Sequence, residues 1–451
     1  MAHIAEAVQQ PGPRLTQRRL LLLWLPLAAS WLLMAFESPY ISAALARLNE
    51  AERMIAAFGL AFSLSITIES PVISLLATST ALARSRQNYL MLRRFTIHLM
   101  LATTLLQFLM GWTPLFDLVV RQLMGVPESL LAPVQLGLQL MLPWSAAIAW
   151  RRFRQGILIR FGQSGKVGRG TILRLVGSAG TATLLALFTP ASGIMVGALA
   201  LSVGVIIEAA YSHWVSAPLV TEHFAPQSPS KSPALGYREL FDFHWPLATS
   251  SLLYLLTQPM IAAALSRGPQ PELNLAAWPV VNGLLFITRA PEMALPEVTI
   301  ALSDEAHSQP VIRRFSIGVG LACSLVLALV SLTPLSQMYF GALIGLQSTL
   351  AAIARNGVIY ALLMPIALAF VSVSRGLLTA QRNTRPQAVA MALELVTLAV
   401  VLVIGVRLNL PGVAVAAFGM SIALLIEALY LWMILRRGEQ IAAKAAGANA
   451  A

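Results

Sequence analysis

Runs of apolar residues alternate with short polar stretches along the whole chain. The runs fall at about 20–45, 54–82, 95–120, 130–150, 171–190 and 191–216. A polar stretch from Thr221 to Arg238 intervenes, and six more runs follow at about 243–266, 273–302, 315–336, 355–378, 386–406 and 411–435. A helix needs about 20 apolar residues to cross the hydrocarbon core of a bilayer. The pattern therefore predicts an all-α polytopic membrane protein with twelve transmembrane helices. It divides the chain into a tail at 1–19, a six-helix lobe at 20–216, a linker at 217–242, a second six-helix lobe at 243–435 and a tail at 436–451. The last is polar and Ala-rich and is expected to fray.

Composition agrees with this division. Hydrophobic residues make up 57% of the chain and charged residues 11%, with a mean hydropathy of +0.74, whereas soluble proteins carry roughly 25% charged residues. A soluble globule is excluded. The net charge of +12 comes from 31 Lys+Arg against 19 Asp+Glu. Most of these basic residues lie in the connections, where they set topology rather than bind nucleic acid. With a cytoplasmic N-terminus, 24 of them, from Arg14 through Arg84 to Arg94, Arg151 to Arg174, Lys231, Arg375 and Arg382 to Lys444, fall on the cytoplasmic side. Only Arg47, Arg53, Arg121, Arg267, Arg355 and Arg407 fall opposite, and Arg289 is left within a span. That bias places the protein in the cell (inner) membrane with both termini cytoplasmic. The first apolar run, which reaches Leu45, is too long for the core of a cleaved signal peptide.

Shifting the chain by 220 positions lays Pro26–Arg47 onto Pro246–Arg267 without a gap, with 12 of 22 positions identical. The same shift pairs Pro71 with Pro291, Arg93-Arg94-Phe95 with Arg313-Arg314-Phe315, and Gly156 with Gly376. IEAAY (Ile207 to Tyr211) faces IEALY (Ile426 to Tyr430) at a shift of 219. Six spans per repeat is an even number, so both halves share one orientation. The lobes should be related by a pseudo-twofold axis along the membrane normal, with a cavity between them.

FGLAFSL (Phe58 to Leu64), FHWPLA (Phe243 to Ala248), AWRRFRQGILIRFGQSGKVG (Ala149 to Gly168) and the spacing of Pro291, Leu295 and Glu297 resemble the progressive ankylosis protein family, as a bacterial-type homologue. That family belongs to the multidrug/oligosaccharidyl-lipid/polysaccharide (MOP) flippase superfamily and is related to MATE transporters. The resemblance implies a MATE-like fold of two six-helix lobes and the export of pyrophosphate, citrate or nucleotide. The related drug-extrusion branch places a coupling acid in the first helix, and Glu37 is similar to it.

Ionisable residues inside spans are costly and are candidate functional groups. Glu37 precedes Pro39, whose missing N–H frees a carbonyl beside the carboxylate, and such a group can bind H⁺ or Na⁺. In the eighth span Asn282, Phe286, Arg289 and Glu292 recur at helical spacing on one face, with Glu297 close by. The repeat pairs Glu69 with Arg289, Glu37 with Thr257, Val72 with Glu292 and Ala77 with Glu297, so the lobes share a scaffold but not their charges. These residues give a substrate-binding set of Arg289, Glu292, Glu297, Asn282, Gln258 and Glu69, and an ion-coupling pair of Glu37 and Glu69. Glu208 and Glu427 recur in both lobes, which favours a structural role such as pairing with arginine. Glu394 has no nameable partner, and His98 is read as interfacial.

GQSGKVG (Gly162 to Gly168) has the wrong spacing for a nucleotide-binding loop, so a gradient of H⁺ or Na⁺ is expected to drive transport. There is no H-E-x-x-H or G-x-S-x-G motif. The single cysteine, Cys323, lies in an apolar stretch, and the six histidines form no ligand-spaced cluster. The expectation is a transporter and not an enzyme, without metal or cofactor, acting as a monomer on a small-molecule substrate in the lipid bilayer. Export of an anion leads; cationic multidrug efflux, flipping of a lipid-linked substrate and a non-transporting scaffold or receptor are the alternatives.

Overall fold

The computed structural model describes residues 16–225, 235–302, 308–381, 383 and 385–448. Several residues counted above for topology, Arg14, Lys231 and Arg382 among them, lie outside the described residues, as do residues 1–15 of the first tail and 226–234 of the linker. So does the side chain of Lys444. Among the described residues every regular element is helical.

Among the described residues nine helices are long and apolar enough to cross a membrane. Two bent pairs, Glu128–Leu140 with Leu142–Arg160 and Ser348–Ile359 with Met364–Ala380, raise the number of candidate spans to eleven. The remaining segment, 271–302, is divided into Pro271–Arg289, Glu292–Ala294 and Leu295–Leu302. Its counterpart in the first lobe, 51–82, is divided in the same way after Ile68 and again after Ile73. Pro291 and Pro71 lie at these breaks, because a proline lacks the helix N–H and its ring clashes with the preceding turn. The first and seventh segments, Gln17–Leu45 and Tyr237–Arg267, are interrupted at Phe36 and Leu256, also at repeat-equivalent positions.

Two boundaries differ from expectation. The sixth helix runs on to His223 and the seventh begins at Tyr237, so both lobes extend into the 217–242 linker. The last helix, Gly412–Ala448, continues through the tail expected to fray. Alanine, glutamate, glutamine and lysine are strong helix formers and carry the helix on from its anchored end.

The lobes interlock through their first and second segments. Leu20 packs with Leu295, Val298 and Leu302 of the opposite lobe. At one level Trp24 donates its indole N–H to the Pro291 carbonyl at 2.8 Å, and His244 Nε2 lies 3.0 Å from the Pro71 carbonyl. The shift of 220 relates these two contacts, and each crosses from one lobe to the other. At the opposite end Arg47 donates to the carbonyls of Ile344 (3.1 Å) and Leu343 (3.0 Å). Its counterpart Arg267 donates to the carbonyls of Met124 (2.7 Å) and Leu123. Those carbonyls close two π-helical turns, Asp117–Leu123 and Gln337–Ile344, which are themselves repeat-equivalent. Gly125 and Gly345 follow them with φ of +69° and +89° and lie against the arginines. A left-handed backbone of this kind favours glycine.

Candidate functional site

Between these two sets of contacts lies a cavity of about 470 Å³. Ten of the twelve segments line it, and the two that do not, Arg86–Trp112 and Ser308–Leu332, are repeat-equivalent. Five arginines reach its wall, Arg151, Arg152, Arg174, Arg289 and Arg375, against two glutamates, Glu37 and Glu394. Four of those arginines were counted above as cytoplasmic topology signals; the structure places them within the helix bundle, with Arg151 and Arg174 only 4% and 6% exposed.

In the first lobe the charges form one chain. Glu37 accepts from Ser178 Oγ at 2.6 Å and pairs with Arg174 at 3.0 Å. Arg174 reaches Glu208 at 3.8 Å, and Glu208 is held further by Arg151 and by Gln155 Nε2 at 2.9 Å. The role expected for Glu208, pairing with arginine, is what the structure has. Glu37 is likewise bound to a cation rather than standing free beside the carbonyls near Pro39.

The second lobe repeats the layout with its charges rearranged. Arg375 stands where Gln155 stands in the first lobe and pairs with Glu427 at 2.6 Å and Glu394 at 3.7 Å. Glu394 occupies the position of Arg174, so LRLV (Leu173 to Val176) faces LELV (Leu393 to Val396) at a shift of 220. That inversion of charge was legible in the sequence and is the signal that would have found Arg174. Glu394, which had no nameable partner, has Arg375.

Two of the five arginines form no salt bridge with a carboxylate among the described residues. Arg289 is 8% exposed and donates only to the Leu285 carbonyl (3.2 Å) and Asn282 Oδ1 (3.4 Å). Arg152 makes no hydrogen bond or ion pair with any described residue. An arginine at the centre of a membrane-spanning helix costs roughly 3 kcal/mol even on the mildest scale. Arg152 belongs to the first lobe, with Glu69 behind it, and Arg289 to the second, with Glu292 and Glu394 near it, so two guanidinium groups with no salt bridge to a described residue face one cavity from opposite sides.

Of the residues singled out from sequence, Glu37, Gln258, Asn282 and Arg289 line this cavity. Gln258 Oε1 also accepts from Trp278 Nε1 at 3.3 Å. Glu69, Glu292 and Glu297 do not line it. Glu69 is fully buried behind the wall, near Ser145, Arg151 and Arg152, with no hydrogen bond to either oxygen. Glu292 leaves the stripe of Asn282, Phe286 and Arg289 because the helix breaks at Pro291, and it turns into the lobe beside Cys323. Glu297 lies beyond the same break and is exposed on the surface.

No family model and no curated protein matches the sequence. Solved structures do match. An inward-facing multidrug resistance MATE family transporter of the MOP superfamily superposes with a TM-score of 0.69 at 13% identity, covering 92% of this chain and 97% of that one. This chain has a MATE-like fold. The lipid II flippase MurJ in an inward closed conformation gives 0.69 at 12% identity, over 91% and 87%. A MOP superfamily transporter from Pyrococcus furiosus, described by the reverse polarity of its binding pocket, gives 0.61 at 15% identity, over 92% and 95%.

Proposed function

We propose that the chain is a secondary transporter that moves a small organic or phosphate-containing anion, such as pyrophosphate, citrate or nucleotide, by alternating access of the central cavity. The observation that carries this reading is the pair of arginines, Arg152 and Arg289, that form no salt bridge with a described residue and face one cavity from opposite lobes. An anion bridging them neutralises two buried charges at once and ties the lobes together while bound. Arg289 with Asn282 and Gln258 forms the second-lobe side of the site. Glu37 is the coupling carboxylate, for which H⁺ or Na⁺ competes with Arg174.

Cationic efflux is disfavoured, because both glutamates on the wall already lie within 4 Å of an arginine. The Pyrococcus furiosus protein, with its pocket of reverse polarity, offers a precedent within the same fold. A lipid-linked anion is the second reading, favoured by Trp31, Phe58, Phe62, Trp144, Tyr254 and Phe286 on the same wall. Membership of the progressive ankylosis family, export as the direction, an inner-membrane location with cytoplasmic termini, a monomeric state and the lack of any chemical step complete the proposal.

The test uses proteoliposomes energised by a pH or Na⁺ gradient, with labelled pyrophosphate, citrate and ATP and with ethidium. Arg152→Gln and Arg289→Gln should each weaken anion transport at least about tenfold, the loss of one charge-assisted contact of about 1.5–3 kcal/mol. Ethidium accumulation with no anion transport refutes the reading.

A further inference from the structure

Three segments of the second lobe meet at one guanidinium. Arg375 of the tenth donates from Nε (2.8 Å) and Nη2 (2.6 Å) to Glu427 Oε1 of the twelfth, and the same Nη2 lies 3.7 Å from Glu394 Oε2 of the eleventh. Glu394 and Glu427 are also in hydrogen-bonding contact with each other. Glu427 is fully buried, and its Oε2 accepts from no donor among the described residues. The side chain of Glu394 keeps 18% of its surface and stands on the wall of the central cavity. An ionised carboxylate only accepts, so two of them in contact repel unless one carries a proton to donate.

The internal repeat shows what is particular to this lobe. In the first, Glu37 and Glu208 are matched by two arginines, Arg174 and Arg151. In the second, Glu394 stands in the place of Arg174 and Glu427 in that of Glu208. The arginine has become a second acid, and among the described residues Arg375 alone forms a salt bridge with either of them. Arg289 of the eighth segment lies near enough to act on Glu394, but its donors go to Leu285 and Asn282. The seventh segment, which packs on the eleventh, adds Tyr254 as its one ionisable group on this wall among the described residues. The pair is thus one positive charge short of the balance that the first lobe reaches with its second arginine.

We propose that Glu394 and Glu427 form a proton-binding site of the second lobe, in which one proton on Glu394 is donated to Glu427 Oε2 and exchanges with the central cavity. The proton supplies the charge that Arg174 supplies in the first lobe, and it gives Glu427 Oε2 its donor. Two acids this close titrate as a unit, so the proton belongs to the pair rather than to either residue. Glu394 is the route in and out, since Glu427 has no exposed surface. The site is separate from Glu37 and holds whatever substrate the cavity carries. With the proton in place Glu394 is neutral; without it, a negative charge faces the cavity beside Arg289 and Arg375.

The experiment is infrared difference spectroscopy of the full chain in lipid nanodiscs, between acidic and alkaline buffers, reading the carbonyl band of neutral carboxylic acid and its shift in deuterated water. The wild type should show a component of this band that disappears as pH rises. Glu394→Gln should lose that component. Glu427→Gln should lose it as well, because either change leaves a single carboxylate for Arg375 and removes the need for the proton. Glu37→Gln, in the other lobe, should keep it. Melting in detergent confirms that each variant is folded, and if Glu427→Gln does not fold, Glu394→Gln decides. A component that survives Glu394→Gln overturns the site. One that survives Glu427→Gln places the proton on Glu394 alone and overturns the pair, and its loss in Glu37→Gln overturns the assignment to the second lobe.

Discussion

Arg47 and Arg267 hold the lobes together at one end of the central cavity, and removing them should open that end. Each places two hydrogen bonds of 3.1 Å or less on backbone carbonyls of the other lobe. These bonds are at least partly exposed, so about 1 kcal/mol apiece is the appropriate scale. Each clasp is then worth about 2 kcal/mol, and the two together about 4 if they act independently. At about 1.4 kcal/mol per factor of ten, one Arg→Ala change shifts the balance between closed and open about 30-fold and both shift it several hundredfold. Cys323 is the single cysteine, so a Cys323→Ser background carrying Thr257→Cys on the cavity wall reports access without interference. The rate of labelling by a membrane-impermeant maleimide, applied from the side on which Arg47 lies, should rise in Arg47→Ala and again in Arg47→Ala/Arg267→Ala. An unchanged labelling rate in the folded double variant refutes the clasp as a gate.

At the other end, replacing Trp24 and His244 together by Phe removes the bonds to Pro291 and Pro71 and should raise labelling of the same cysteine from the opposite side, by about 30-fold at most. Arg174→Gln strips the cation from Glu37, and breaking a buried pair from one side typically costs 3–5 kcal/mol; a lower melting temperature in detergent checks this. Glu37→Gln should instead preserve folding, since Ser178 still reaches residue 37 and Arg174 still has Glu208, while gradient-driven transport falls; normal transport removes Glu37 from the mechanism. At Gly156 and Gly376 an added Cβ would meet the Leu76 carbonyl oxygen at 2.7 Å and the Pro296 carbonyl oxygen at 3.0 Å. Each Gly→Ala change should therefore lower stability by about 1–3 kcal/mol through overpacking, measured as a fall in melting temperature.

The chain's own pattern determined much of this architecture. Apolar runs of membrane-spanning length leave helices as the available solution, because hydrocarbon offers no partner for a free backbone N–H or C=O. The repeat at 220 required two parallel lobes, and Pro71 and Pro291 announced the broken segments. Asymmetry of charge between equivalent positions singled out Glu37 and Arg289, which line the cavity, and Glu69, which is buried behind its wall. The same comparison carried one step further, to Arg174 against Glu394, would have exposed the charge networks on either side.

Other decisions lay outside the reach of any linear pattern. A run such as Arg151-Arg152 at a helix end has the same appearance whether it meets cytosol or turns into a cavity. Only the packing of the sixth segment against the fourth, which brings Glu208 to Arg151, distinguishes the two. Glu292 seemed to continue a stripe that a proline in fact ends, and the few degrees of freedom released there turned its carboxylate towards Cys323. Periodicity fixes which residues share a helix face, whereas the partner that each buried charge finds is fixed by segments some 20 to 140 residues away in sequence. For charges in a low-dielectric interior that partner decides whether a group is neutralised or left to meet a ligand.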